Sequence, residues 1–153
     1  MKIIKIIIAV IIILISVAII YMIVINNTIP RNLGIHDGML YKMPASPNAV
    51  SSQTSDINKF VEPFAYLGDF KNSKDVIIQI INEFKGAKII TNNEKYIHAV
   101  FTTSTMKFKD DVEFYFDDSN NIIHFRSASR IGYSDNGLNR NRYDELSKIY
   151  YGK

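Results

Sequence analysis

No cysteine occurs among the 153 residues, which excludes disulfide scaffolds, Cys-ligated zinc, iron–sulfur clusters and thiol nucleophiles together. Packing must therefore hold the fold. Histidine is scarce: His36, His98 and His124 share no H-E-x-x-H or His-x-His spacing, so no metal site and no cofactor are expected. Gly132 and Gly137 stand too far apart for a phosphate-binding loop, and Ser51 and Ser52 lie in no G-x-S-x-G elbow. Excess charge is also missing. Beyond Lys2 and Lys5 the chain has 16 basic and 15 acidic residues, a net of +1, which disfavours a nucleic-acid partner despite a pI near 9.0.

What the chain has in abundance is one apolar run. Met1 to Ile25 hold 22 of the 72 AVILMFWYC residues, leaving 50 for the other 128, a fraction that suits one soluble, charged domain. From Ile6 to Ile25 only Ser16 and Tyr21 carry polar atoms. Twenty residues of helix at about 1.5 Å each span about 30 Å, the thickness of a bilayer's hydrocarbon core. A cleavable signal peptide would have a shorter core and a small-x-small site, whereas this run continues through Tyr21-Met22-Ile23-Val24-Ile25 with no such site. An uncleaved anchor is expected. Lys2 and Lys5 precede it and Arg31 alone follows closely, so the positive-inside tendency places residues 1–5 in the cytoplasm. The protein is then expected in the cell membrane as a single-pass chain with its C-terminal domain extracytoplasmic.

Residues 26–63 contain all four prolines and the polar stretch Ser46 to Ser55, and read as an extended linker. Residues 64–153 read as the α+β core. Ser73 is a candidate N-cap for a helix with Val76, Ile77, Ile80, Ile81 and Phe84 on one face, closed by Gly86. Four β-prone runs follow, at 87–91, 95–104, 111–117 and 122–127, joined by short polar turns. Val112, Phe114 and Phe116 alternate there with Asp111, Glu113, Tyr115 and Asp117, giving one apolar and one mostly charged face. A last helix near 139–151 carries Tyr143, Leu146, Ile149 and Tyr150, with Asn139 as its candidate cap. The expected fold is an N-terminal transmembrane helix followed by a two-layer sandwich, a four-stranded antiparallel meander with two flanking helices on one face.

Four of the five arginines, Arg126, Arg130, Arg140 and Arg142, fall in the seventeen residues between the fourth strand and the last helix. A guanidinium offers a planar fork for carboxylate or phosphate, so this cluster predicts directed hydrogen bonding. Two partners are open: Asp110, Asp111, Glu113 or Asp135 of the same chain, which would pin the loop to the sheet, or a bound anion.

The motifs Asp37-Gly38-Met39-Leu40, Pro44-x-Ser46-Pro47-Asn48-x-Val50-Ser51-Ser52, Tyr96-Ile97-His98-Ala99, Asp110-Asp111-Val112-Glu113-Phe114 and the Arg126 to Arg142 run, in this order, resemble the domain of unknown function 1499 family of bacteria and plastids. The resemblance implies no activity. Relatives often carry Cys on either side of the Ser-Pro-Asn motif, where this chain has Met43 and Ala49, so a disulfide or thiol role is not expected here. The candidate ligand-binding set is Asn48, Ser51, Arg126, Ser129, Arg130, Asp135, Asn139 and Arg142. The expected function is a membrane-anchored accessory or binding module for an anionic small molecule or envelope polymer. The alternatives are a hydrolase using Asp111 or Glu113 as general base beside Arg126 and Arg130, and a protein-interaction scaffold.

Overall fold

A computed structural model describes residues 2–153. Helix α1 (Lys2–Asn27) contains the apolar stretch Ile6 to Ile25, and its side chains from Ile3 to Val24 are exposed, packed against no other element among the described residues. It is long and apolar enough to cross a membrane, and a signal sequence would meet the same description. After it come two short strands, β1 (Ile35–His36) and β2 (Met39–Leu40), paired as a hairpin, then β3 (Ala49–Ser51), β4 (Phe64–Ala65) and α2 (Phe70–Glu83). The predicted meander follows as β5 (Ala87–Asn93), β6 (Tyr96–Thr102), β7 (Lys109–Asp117) and β8 (Ile122–Ser129), and α3 (Leu138–Tyr150) closes the chain.

The sheet has six strands rather than the four expected. Both β3 and β4 pair antiparallel with the outer edge of β8, Ser51 opposite Arg126 and Phe64 opposite Ile123. An eight-residue edge strand with free N–H and C=O groups would invite foreign pairing, and the two short strands cover it. Both were hidden in the sequence because two or three residues are too few to show an alternation.

The helices cover one face of this sheet, as expected. Ile97, Phe101, Val112, Phe114, Phe116, Ile123 and Phe125 on the sheet meet Ile77, Ile80 and Ile81 of α2 and Leu146 and Tyr150 of α3, with Phe64 at the centre. The start of each helix differs from the sequence reading. Helix α2 is capped by Asp69, whose carboxylate accepts from Asn72 N at 2.7 Å, while Ser73 is buried one turn in and donates back to the Asp69 carbonyl. Helix α3 begins after Gly137 in a left-handed conformation (φ 80°), and the Asp135 carboxylate accepts from Asn139 N at 2.7 Å. Asn139 is thus inside the helix, and Asp135 does the capping. Gly86 sits at φ 84°, and a Cβ there would lie 2.6 Å from the Thr102 carbonyl oxygen, which is why the α2–β5 turn takes glycine.

The opposite face is covered as well. Residues 28–46 run across it, and the β1–β2 hairpin rests on β7 and β8 with Leu40 buried. Asp111 and Glu113 of β7 therefore lie beneath the linker instead of facing water. The molecule has a third, irregular layer.

Candidate functional site

Strand register decides which arginines meet which acids. On the linker-covered face, β6, β7 and β8 place His98, Glu113 and Arg126 in one row and Val100, Asp111 and Ala128 in the next. Asp111, Glu113, His98 and Arg126 are all buried. Arg126 donates to Glu113 Oε2, and the other carboxylate oxygen accepts from Gly34 N and Tyr96 Oη, each at 2.7 Å. Arg130 reaches down from the end of β8 and binds Asp111 two-point, at 2.8 and 2.7 Å, and His98 Nε2 lies 2.8 Å from the same carboxylate. Charges taken out of water persist only when paired in this way.

Burial pushes the Asp111 carboxyl up, but the hydrogen bonds from Arg130 and His98 outweigh it and hold the group below its usual 3.8. Its contribution to stability is complete above pH 3.8 and is lost as pH falls through the lower value of the folded state. The melting temperature is expected to fall steeply below pH 4, and Asp111→Asn should start lower and fall less over that range. Parallel acid profiles for the two proteins would refute this. Burial, with Glu113 beside it, also raises the Tyr96 hydroxyl, which therefore stays a donor.

Beneath the exit segment of α1 this face leaves a cavity of about 310 Å³, lined by Ile25, Thr28, Pro30, Arg31, Asn32 and Leu33 on one side and by Asp111, Arg126, Ala128 and Arg130 of the sheet on the other. Arg126 is 1% exposed, and its Nε is the one buried side-chain polar atom without a hydrogen-bond partner among the described residues. An N–H left so in a water-poor place is costly, on the order of 1–3 kcal/mol, unless something accepts from it.

The remaining candidates assemble elsewhere. On the helix-covered face Arg142 donates to Asp110 at 2.5 Å and to Asn139 Oδ1 at 2.7 Å, with its guanidinium stacked over Phe101. Asn139 in turn donates to the Asn48 carbonyl, Ser129 Oγ and the Asp135 carboxylate. Asn48, Ser129, Asp135, Asn139 and Arg142 thus form a polar bracket that ties β3, β8 and α3 together. Ser51 shares the face of Arg126, but its hydroxyl accepts from Gln53 N in the turn after β3. The sheet separates the eight candidates into two groups. Sequence reasoning missed Asn26, Gly34 and Tyr96 as site residues; the Asn26-Asn27 pair at the end of the apolar run and the place of Tyr96 at the head of the Tyr96-Ile97-His98-Ala99 motif gave the signal that there was.

Residues 39–149 match the family described as protein of unknown function (DUF1499). The chain belongs to the DUF1499 family. No curated protein and no solved structure matches it. The match begins at the second strand of the hairpin, so both the Arg126–Glu113 and Arg130–Asp111 pairs and the bracket fall within the family domain, whereas α1, Arg31 and Gly34 precede it.

Proposed function

We propose that this DUF1499 protein is a single-pass membrane protein whose domain, on the extracytoplasmic side, binds an anionic group in the cavity between residues 25–33 and the sheet. The observation that carries this is a cavity lined by Arg126, Arg130 and Arg31, with the Arg126 Nε buried behind its wall and unpartnered. Around it three arginines stand against two carboxylates, Asp111 and Glu113, a local excess of +1. Those carboxylates already hold Arg126 and Arg130, so a bound anion would bring the acceptor that Nε lacks. The same pairing counts against the hydrolase reading, because a general base needs a carboxylate free to take a proton near neutral pH.

The test uses the full chain in phosphatidylcholine nanodiscs with inorganic phosphate as probe, at constant ionic strength. Ligand that binds only the folded state raises the melting temperature. Wild type is expected to respond. Arg126→Lys, which keeps the charge facing Glu113 but has no Nε–H, should lose the response, as should Ala128→Leu, which fills the cavity floor. An equal response in all three, or none in wild type, would sink the proposal.

A further inference from the structure

The last turn of α1 is not a free tether. Asn26 is buried, its Nδ2 donates to the Lys107 carbonyl at 2.8 Å, its Oδ1 accepts from Lys109 N at 2.9 Å, and its own carbonyl accepts from Arg130 at 3.0 Å. Lys109 Nζ adds a bond to Asn27 at 2.7 Å. The helix end is thereby fastened to the loop between β6 and β7, to β7 itself and to the residue after β8. That loop, residues 103–108, is closed on itself: Thr103 N donates to the Phe108 carbonyl and Phe108 N to Thr103 Oγ1, both at 2.9 Å. Its tip carries Met106, 65% exposed, and at its base Phe108, 41% exposed, stands between Lys107 and Lys109. Ile29, half exposed, lies just past the helix end.

We propose that this loop is a second membrane contact, with Met106 and Phe108 inserted into the headgroup layer and the two lysines among lipid phosphates. The proposal rests on α1 being a membrane span, and given that span it follows from depth. If Ile6 to Ile25 fill the hydrocarbon, Asn26 stands where hydrocarbon ends, and the backbone bonded to it stands at the same level. Large apolar side chains flanked by lysines are what that layer accepts, and water is not. A rigid loop with an ordered base holds them there without a loss of chain entropy on contact. The cavity, whose wall includes Ile25 and Thr28, then opens at headgroup depth.

The chain has no tryptophan, so a single introduced indole reports alone. Three variants of the full chain are reconstituted in vesicles of phosphatidylcholine and phosphatidylglycerol, with and without brominated acyl chains: Ile20→Trp in the helix, Met106→Trp at the loop tip, and Ser119→Trp in the β7–β8 turn at the far end of the sheet. The expected result is blue-shifted emission and loss of intensity in brominated lipid for the first two, with neither for Ser119→Trp. Quenching of Ile20→Trp alone overturns the loop contact and leaves the anchor standing. No quenching of Ile20→Trp overturns the anchor, and the loop contact with it.

Discussion

Glu113→Ala is expected to be the most destabilising single substitution on the linker-covered face, worse than Arg126→Ala although the two residues form one pair. Breaking a buried ion pair by removing one partner typically costs about 3–5 kcal/mol, because the other charge is stranded. The two survivors differ. After Arg126→Ala the Glu113 carboxylate still accepts from Gly34 N and Tyr96 Oη, and a carboxyl can take up a proton. After Glu113→Ala the guanidinium, whose Nε already lacks an acceptor, loses the one it had and cannot shed its charge. For a domain of this size a loss of 3–5 kcal/mol lowers the melting temperature by roughly 10–20 °C.

The double replacement Glu113→Leu with Arg126→Met separates pairing from bulk. Exchanging a whole buried pair for apolar side chains is often neutral. The double variant should therefore melt well above Glu113→Ala, and calorimetry of the four proteins gives the coupling directly. A double variant no more stable than Glu113→Ala would mean that the pair is not what matters at this position. The same double variant should lose the phosphate response, since the cavity keeps its walls but not its Arg126 donor.

How much of this was legible in the sequence follows from the range over which each feature is encoded. The four long strands and both helices follow from local alternation and spacing, and all are present. The misplaced cap of α2 is also local: Asp69 and Ser73 both suit the role, and only the buried stripe Ser73, Ile77, Ile80 and Ile81 decides between them. The burial of Asp111 and Glu113 is of another kind. Their alternation with Val112 and Phe114 reads as a solvated face, but residues 28–46 cover it, and its charges can be buried because β6 and β8 bring His98 and Arg126 into one row with Glu113 while Arg130 reaches Asp111 from beyond the end of β8. A register across three strands is set by turns and bulges, which no window of one strand contains. The arginine cluster left acids of the same chain and a bound anion open as partners; the structure pairs Arg126, Arg130 and Arg142 with acids, and the sheet lies between them. Arg126 and Arg130 point to one face and Arg142 to the other, so nearness in sequence concealed two separate clusters.

The second cluster gives the other large expected effect. Arg142→Leu on α3 is expected to destabilise the domain by about 3–5 kcal/mol, since Asp110 on β7 is 1% exposed and loses its cation. The stack on Phe101 goes too, together with a donor to Asn139 and Ser127. Asp135→Ala, which removes the acceptor of the Asn139 backbone N–H and one of several acceptors of its side chain but no buried charge, should cost only about 1 kcal/mol. The comparison decides what the bracket is for. Were Asn48, Ser129, Asp135, Asn139 and Arg142 a ligand site, Arg142→Leu would lose the phosphate response at little cost in stability. Held as they are between β3, β8 and α3, with Arg142 and Asn139 bonded to their own neighbours, they are expected to give the reverse: a melting temperature lowered by roughly 10–20 °C with the phosphate response of the folded fraction intact. Denaturation curves with and without phosphate read both quantities on the same sample, and a retained melting temperature with a lost response would move the binding site to the helix face.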